Sequence, residues 1–140
     1  MGAEMRSVFV DTMGWYSLFD TRDAWHERAK SLMRRFRQKK TLLYTSDYIV
    51  DETATLLLVR GATTALPAFF ERIKASVALT VTMVGTSRFQ DAGEYFLKHR
   101  DQGYSFTDVT SFLLMRELRI VEALTHDEHF LKAGFKPLLA

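Results

Sequence analysis

Residues 41–61 read TLLYTSDYIVDETATLLLVRG, a run that changes from one type of secondary structure to another within a few residues. Thr41 to Thr45 is short, apolar and rich in residues that favour strands, whereas the segment after it has the composition of a helix. Ser46 or Asp47 supplies a cap for the first turn of this helix, and Gly61 is a typical residue just beyond a helix end. The stretch therefore predicts a strand followed directly by a helix, which is the repeating unit of α/β proteins.

Three segments outside this unit also predict strands, and a fourth predicts a short edge strand. Ser7 to Asp11 reads SVFVD, and Val77 to Val84 is strongly β-branched. Glu122 to Thr125 is a short run of the same kind, and Phe135 to Leu138 contains Pro137, which restricts it to the edge of a sheet. With the strand described above, the chain therefore predicts four or five strands.

Helices are predicted between these strands, from apolar residues that recur at helical spacing and from residues that cap helix ends. The predicted segments are a helical turn at Gly14–Phe19, a helix at Ala24–Lys39 capped by Asp23, a helix from Thr63 or Thr64 to Lys74, helices at Ser87–His99 and Ser105–Leu118, and a turn of helix at His129–Ala133. Because strands and helices alternate, the sequence predicts an α/β fold, a three-layer α/β/α sandwich with a mostly parallel four- or five-stranded sheet.

The composition fits a single domain spanning residues 1–140. Hydrophobic residues make up 47% of the chain and charged residues 26%, as in an ordinary soluble protein with a substantial core. The net charge of +2 permits nucleic-acid binding but argues against a purely electrostatic binder. No apolar run approaches the ~20 residues that cross a bilayer, so we expect a cytoplasmic protein without a membrane segment.

The residue types present limit the kinds of metal and catalytic site. The chain contains no cysteine, which excludes disulfides, thiolate metal sites and a cysteine nucleophile. Zinc bound by histidine alone is disfavoured, because no two of the four histidines stand at i, i+4 spacing. A lone histidine is more often a surface or hydrogen-bonded residue than a ligand, so neither His126 nor His129 is assigned a catalytic role.

Asp11 and Asp127 each follow the end of a predicted strand. In open parallel sheets, ligands bind at the carboxyl ends of the strands, so both acids are expected at the functional edge. Asp11 is interpreted either as the N-cap of a helix or as a metal ligand. Asp127, with Glu128 as a weaker competitor, is either a cap or turn residue in THDEHF or a member of the same site.

Glu52 lies on an apolar face of the helix in the stretch quoted first. Its neighbours at i−4, i−3, i+4 and i+7 are Tyr48, Ile49, Leu56 and Val59. A carboxylate in apolar surroundings needs a partner, and no Lys or Arg lies next to it within its motif. Glu52 therefore either turns outward to water at the rim of the helix or is directed into a site that requires an acid.

Asp108 begins a predicted helix in the segment YSFTDVTSF. Ser105 to Asp108 fits a capping box, in which the acid reaches back to the backbone of the cap residue. Phe112 and Met115 follow at i+4 and i+7, so Asp108 also heads an apolar stripe, and the helix dipole favours its ionised form. Capping and metal binding both stay open, with the hydroxyls of Ser105 and Thr107 available to a water or a phosphate.

Acids that come together from distant parts of a chain often hold a divalent metal, because Mg²⁺ and Mn²⁺ favour oxygen ligands. Gathered carboxylates repel one another and raise one another's pKa, and a divalent cation relieves that repulsion. A bound metal can polarise a phosphate oxygen, lower the pKa of water and orient its attack. The four acids therefore predict metal-dependent hydrolysis of a phosphate ester.

The order of these acids resembles that of PIN-domain nucleases, and within them most closely that of VapC-type toxins. The resemblance runs from VFVDT to THDEHF and the AGF after it, and the segments SDYIVDETATLLLVRG and YSFTDVTSFLLMRELRI carry the closest match. The four acidic positions of the family pattern are all present, at Asp11, Glu52, Asp108 and Asp127. Met13 stands where many relatives have Ser or Asn, so a polar group near the site is replaced.

The resemblance implies an endoribonuclease that uses Mg²⁺, or Mn²⁺, and leaves a 5′-phosphate and a 3′-hydroxyl. The residues implicated are Asp11 and Asp108 as the most direct metal ligands, Glu52 and Asp127 as the rest of the catalytic and metal-binding cluster, and Thr12, Ser105 and Thr107 as supporting groups. The resemblance also implies an RNA substrate, with transfer or ribosomal RNA loops as the usual targets, a VapB-type antitoxin as partner, and a homodimer.

Two other functions stay open beside this one: a PIN-fold nuclease of RNA processing without an antitoxin, and a non-catalytic PIN-like binding module. Arg34 to Lys40, RRFRQKK, is a candidate RNA contact. Cations near the C-terminus of a helix are also expected simply to face solvent, and that interpretation is favoured.

Overall fold

The computed structural model describes residues 5–140, in which a five-stranded sheet is parallel throughout. The strands are β1 (Ser7–Val10), β2 (Leu42–Ser46), β3 (Leu79–Thr82), β4 (Glu122–Leu124) and β5 (Lys136–Pro137). Their order across the sheet is β3-β2-β1-β4-β5, so that the first strand in the sequence is the central one.

Helices occupy most of the chain between the strands. They are α1 (Thr12–Phe19), α2 (His26–Gln38), α3 (Asp47–Val59), α4 (Leu66–Ala75), α5 (Gly85–Lys98), α6 (Phe106–Leu118) and α7 (Glu128–Lys132). The predicted α/β sandwich with a parallel sheet of four or five strands is confirmed. Among residues 5–140, none of the helices has both the length and the apolar character that crossing a bilayer requires.

The central strand is buried from Val8 to Val10. Val8, Phe9 and Val10 have no exposed surface, although successive strand residues point to opposite faces of a sheet. Both faces are therefore covered, as expected for a parallel sheet between two helical layers. The largest fully buried side chains around it are Trp15, Phe36, Ile49, Leu57, Phe69, Phe112, Leu114, Met115, Leu124, Phe130 and Leu139.

Strand register brings two distant chain segments together at the carboxyl edge of the sheet. Phe9 lies opposite Ala123, and Val10 lies opposite Leu124. The residues that follow β1 and β4 therefore leave the sheet side by side. This register places Asp11 next to the segment that begins at Thr125.

Helix α1 packs closely against the end of β4. A Cβ atom added at Gly14 would lie 2.2 Å from the carbonyl oxygen of Leu124, so only glycine permits this approach. The next residue, Trp15, donates from Nε1 to Thr45 Oγ1 at 3.2 Å, and that hydroxyl donates to the carbonyl of Val10 at 2.9 Å. These contacts fix the start of α1 relative to the ends of three strands.

A buried acid joins the end of α1 to the end of α3. Asp20 is 4% exposed and accepts hydrogen bonds from the Tyr16 hydroxyl at 2.5 Å and from two nitrogens of Arg22, each at 2.9 Å. The same guanidinium donates to the carbonyl of Arg60 at 2.8 Å. The hydrogen bonds from Arg22 and Tyr16 hold the pKa of Asp20 well below its ordinary value, although burial acts in the opposite direction.

Some element boundaries differ from the prediction. Helix α2 begins at His26 instead of Ala24, because Asp23 forms a turn before it. The Asp23 carboxylate accepts from the Trp25 N–H at 3.0 Å, and its carbonyl accepts from the His26 N–H at 3.1 Å. Helix α1 begins at Thr12, two residues before the predicted Gly14.

Strand β3 is shorter than the predicted Val77–Val84. It pairs only with β2, from Leu79 opposite Leu43 to Thr82 opposite Ser46, so the length of β2 limits it. Val77 lies outside the sheet and is fully exposed. The β-branched composition therefore overestimated the strand, because strand length also depends on the partner.

The basic stretch Arg34–Lys40 lies at the end of α2 and in the turn that leads into β2. Leu42, at the start of β2, lies opposite Ser7 at the start of β1. The stretch is therefore at the amino edge of the sheet, whereas Asp11 follows the carboxyl end of β1. This location favours the interpretation of these cations as a solvent-facing group over a contact to RNA at the acids.

Candidate active site

A pocket of about 540 Å³ opens where the strands end at the carboxyl edge of the sheet. All four predicted acids line it, namely Asp11, Glu52, Asp108 and Asp127. The other lining residues are Thr12, Met13, Gly103, Ser105, His126, Glu128 and His129. No Lys or Arg from residues 5–140 lines this pocket, so it is strongly acidic.

Asp11 is at the N-cap position of α1, but its side chain makes no capping hydrogen bond. The carboxylate is 3% exposed and accepts from Thr125 Oγ1 at 2.8 Å. Burial raises the pKa of Asp11 to about 8, and Asp108 and Asp127 add to the increase, whereas the Thr125 hydroxyl opposes it. The surroundings of Asp11 therefore disfavour its ionised form, and positive charge in the pocket would favour it.

Asp108 is the third residue of α6 and makes the predicted capping contacts. Its backbone N–H donates to Ser105 Oγ at 3.0 Å, and its carboxylate accepts from the Ser105 N–H at 3.0 Å, which forms the capping box. The side chain is also buried at the edge of the acidic pocket. Burial raises the pKa of Asp108, and the charges of Asp127 and Glu52 raise it further.

Glu52 projects from the middle of α3 and is half-buried. Its Oε1 accepts from Thr12 Oγ1 at 2.5 Å, and Thr12 is itself 2% exposed. The alternative in which Glu52 turns outward to water is therefore not the observed arrangement. The buried hydroxyl orients the carboxylate toward the pocket.

Asp127 precedes α7 and acts as a cap, which is one of its predicted interpretations. Its Oδ1 accepts from the His129 N–H at 2.9 Å, so it caps this short helix. The same oxygen lies 3.4 Å from Nδ1 of the His129 ring, and that nitrogen lies 3.3 Å from Oδ2 of Asp108. His129 therefore bridges two of the acids.

The acids do not all meet at one point. Asp108, Asp127 and His129 each offer one ligand atom, and these three atoms lie within 4.8 Å of one another. Asp11 and Glu52 line the same pocket but are not in this group. Mutual repulsion between carboxylates favours such a separation.

Two residues of the site were not predicted. His129 was given no role, although it stands two positions after Asp127, close enough to share its turn. Thr125 was placed only at the end of a strand. Its hydroxyl donates to Asp11 and accepts from the Asp127 N–H at 3.0 Å, so it links two of the acids.

The remaining predicted residues lie around the pocket in different ways. Ser105 lines it and caps α6, whereas Thr107 lines a neighbouring pocket that shares Glu52. Met13 also lines the acidic pocket, so the apolar replacement noted in the sequence is located at the site. His126 lies at the rim, with its ring stacked on Trp25 at a centroid distance of 5.2 Å.

Comparison with known proteins gives a consistent result, although no family model matches the sequence. Two curated relatives are the 23S rRNA-specific endonuclease VapC20 of Mycobacterium tuberculosis, from strains CDC 1551 and H37Rv. Each is 36% identical to this chain over 129 residues, which cover 91% of this chain and 95% of the relative.

Solved structures agree with the sequence comparison. The crystal structure of Mycobacterium tuberculosis VapC20, a sarcin-ricin loop cleaving toxin, is similar with a TM-score of 0.80 at 35% identity, covering 91% of this chain and 95% of that one. PAE2754 from Pyrobaculum aerophilum has a TM-score of 0.63 at 12% identity, covering 96% of this chain and 84% of that one, and supports the fold alone.

The sequence identity extends over nearly the whole of both chains, and the parallel sheet with its acidic carboxyl edge has the expected architecture. The chain belongs to the VapC family of PIN-domain endoribonucleases, which are the toxins of toxin–antitoxin pairs.

Proposed function

We propose that this protein hydrolyses a phosphodiester bond of ribosomal RNA with the help of Mg²⁺ held by Asp11, Asp108, Glu52 and Asp127. The observation that carries the proposal is that four acids from separate parts of the chain line one pocket, which no Lys or Arg of residues 5–140 lines. Mn²⁺ is an alternative ion, because it accepts the same oxygen ligands and also tolerates a histidine nitrogen.

The residues present fit a divalent cation. The site offers carboxylate oxygens, which are the ligands that hard cations prefer. Burial and the neighbouring acids raise the pKa of both Asp11 and Asp108, so positive charge in the pocket would favour their ionised forms. A bound divalent cation would supply that charge, polarise a phosphate oxygen and activate water.

The protein's own groups position the acids in this proposal. Asp11 and Asp108 are the most direct metal ligands, because they are the most deeply buried of the four acids. Thr12 holds Glu52, and the Thr125 hydroxyl holds Asp11. Asp127 and Glu52 complete the cluster and orient the attacking water, and in-line displacement leaves a 5′-phosphate and a 3′-hydroxyl.

The relatives support a particular class of RNA. VapC20 is specific for 23S rRNA and its crystal structure is that of a sarcin-ricin loop cleaving toxin. We therefore favour a structured loop of large-subunit ribosomal RNA as the substrate over transfer RNA. Such a substrate would place the activity in the cytoplasm.

The family also supports a protein partner. A toxin of this kind is inhibited by an antitoxin, and we propose a VapB-type protein in that role, with the toxin itself acting as a homodimer. We further propose that residues 1–140 form a single domain, since one sheet and one hydrophobic core account for the described part of the chain.

The test is an incubation of purified protein with intact ribosomes and, separately, with total transfer RNA, in Mg²⁺ or in EDTA. New 5′ ends are mapped by ligation that requires a 5′-phosphate. We expect one dominant cut in large-subunit rRNA that needs Mg²⁺. Asp108→Asn should abolish it, whereas Glu71→Gln, which changes an exposed acid on α4, should not.

Each part of the proposal has its own contradictory result. Cleavage that persists in EDTA would contradict the role of a metal. Full activity of Asp108→Asn would contradict the assignment of the active site. Cleavage of transfer RNA alone would leave the nuclease in place but reject ribosomal RNA as its substrate.

A further inference from the structure

A second cavity lies at the opposite edge of the sheet from the acids. It has a volume of about 270 Å³ and is enclosed by the end of α2, the start of β2 and the turn between α4 and β3. The lining residues are Met33, Phe36, Arg37, Thr41, Leu43, Arg72, Ala75, Ser76 and Ala78. We call it the amino-edge cavity. Strand β2 has five residues at about 3.3 Å each. Its amino end, at this cavity, and its carboxyl end, on the side of the acids, are therefore roughly 16 Å apart.

Two arginines face this cavity without an acid. Arg72 is half-buried, and its one hydrogen bond among the described residues is a long contact of 3.9 Å to Met33 Sδ. No ion pair joins Arg72 or Arg37 to a carboxylate within residues 5–140. Burial lowers the pKa of Arg72, and the charge of Arg37 lowers it further. A half-buried guanidinium beside a second positive charge is unfavourable by itself.

One buried polar group in the wall of the cavity lacks a partner among the described residues. Thr41 is 2% exposed, and its hydroxyl makes no hydrogen bond with the described residues. Ser76 contributes a second hydroxyl at the other side, from the turn after α4. A buried hydroxyl without a partner is uncommon, because its desolvation is not compensated.

The rest of the lining is apolar. Met33, Phe36 and Leu43 form one side, and Ala75 and Ala78 form the other. Both Arg37 and Arg72 line the cavity, and guanidinium groups donate paired N–H bonds to a phosphate or carboxylate group. An apolar wall beside that pair matches a hydrocarbon or aromatic portion on the same ligand.

We propose that the amino-edge cavity binds a small organic oxyanion, with its phosphate or carboxylate group between Arg37 and Arg72 and its apolar portion against Phe36 and Leu43. The cavity volume corresponds to about nine times the volume of one water molecule, so the ligand has on the order of ten non-hydrogen atoms. None of the four acids lines this site, and the proposed binding is separate from RNA cleavage.

The experiment measures the melting temperature of the whole protein with phenyl phosphate, benzoate, inorganic phosphate or phenol, each compared with chloride at the same ionic strength. An aromatic oxyanion should raise the melting temperature by at least about 2 °C, because a ligand that binds only the folded state stabilises it. Phenol, which lacks the charge, should give no increase. The larger increase of phenyl phosphate and benzoate shows whether the site prefers a phosphate or a carboxylate. A smaller increase with inorganic phosphate than with phenyl phosphate shows that the apolar portion contributes to binding.

Variants locate the binding. Arg37→Gln and Arg72→Met should each abolish the increase, whereas Arg34→Gln, an exposed arginine on the same helix as Arg37 that does not line the cavity, should retain it. Arg72→Met should in addition be at least as stable as the parent in chloride, because it removes a half-buried charge without a partner. Arg37 is exposed, so its variant tests the site even if Arg72→Met fails to fold.

The proposal is overturned if neither phenyl phosphate nor benzoate exceeds matched chloride, or if Arg37→Gln responds like the parent. RNA cleavage by Arg37→Gln should be unchanged. This measurement separates the proposal from the function assigned to the acidic pocket.

Discussion

His129 Nδ1 lies 3.3 Å from Oδ2 of Asp108, although the two residues belong to different helices. The same nitrogen lies 3.4 Å from Oδ1 of Asp127. Among residues 5–140, the His129 imidazole is therefore the one basic side chain with a nitrogen within 4 Å of the four acids. Its position makes it a positioning residue for two proposed metal ligands, or a ligand itself.

His129→Ala should raise the Mg²⁺ concentration required for half-maximal RNA cleavage by about 10- to 100-fold, since groups that orient metal ligands have effects of this size. His126→Ala is the matched control, because His126 lines the same pocket and stacks on Trp25 without bonding to the acids. An unchanged Mg²⁺ requirement in His129→Ala would show that the bridge has no part in metal binding.

Thr12→Val should lower the rate of single-turnover cleavage by about tenfold or more, because the hydroxyl that orients Glu52 is lost. Thr12→Ser keeps a donor at the same atom and should restore most of the rate. Both substitutions leave the acids intact, so equal rates in Thr12→Val and Thr12→Ser would contradict a positioning role for the hydroxyl.

Asp11→Asn should abolish cleavage and at the same time stabilise the metal-free protein by about 1 kcal/mol or more. The reason is that a buried carboxyl among other acids is unfavourable, whereas an amide of the same shape still accepts from Thr125. The free energy of unfolding in urea with EDTA is the measurement. If Asp11→Asn is less stable than the parent, the Asp11 carboxyl stabilises the fold, and the prediction that it destabilises the metal-free protein is wrong.

The ionised Asp20 carboxylate should contribute to the free energy of unfolding at neutral pH, and this contribution should be lost in acid. Its pKa is lowered in the folded state, so the unfolded chain binds more protons at low pH and stability falls as pH decreases below the ordinary value of 3.8. Asp20→Asn should cost about 1–3 kcal/mol at pH 7, because Arg22 and Tyr16 lose a charged acceptor. The difference from the parent should shrink as the pH is lowered toward 3.

Urea unfolding of the parent and Asp20→Asn between pH 3 and pH 7 measures that difference. Asp91→Asn, an exposed acid on α5, should differ little from the parent at every pH. A cost for Asp20→Asn that is the same at both ends of the range would mean that the ionised carboxylate is not what stabilises this cluster.

Gly14→Ala should destabilise the protein by at least about 2 kcal/mol, because the new Cβ would lie 2.2 Å from the Leu124 carbonyl oxygen and α1 must move away. Gly93→Ala is the opposite case. Gly93 lies in α5 with no atom within 4 Å of an added Cβ, so the better helix former should stabilise by about 0.5–1 kcal/mol. Thermal melting of the two variants compares them, and equal effects would contradict the close packing of α1.

The approach of Asp11 to Asp127 was predictable from the sequence. Both acids follow strands, and strands joined by right-handed crossovers are parallel, so their carboxyl ends share one edge. Glu52 was predictable in the same sense, because helical spacing places it on an apolar face. These inferences need only the local sequence pattern and the topology of the sheet. The order of the four acids along the chain then indicated the family.

The details of the site were not predictable by the same means. The bridge made by His129 depends on how a five-residue helix turns its first residues toward α6, and the two bonds of Thr125 depend on strand register. The amino-edge cavity likewise depends on Arg37 and Arg72, which are distant in the sequence and meet only through packing of α2 against the end of α4. Local periodicity carries no information about such pairings.

The hydroxyl of Thr125 joins the backbone of Asp127 to the carboxylate of Asp11. A ribosome must therefore synthesise the chain as far as Asp127 before the Thr125 link between these two acids can form. A growing chain that ends before β4 therefore carries Asp11, Glu52 and Asp108 without the hydroxyl that bonds Asp11.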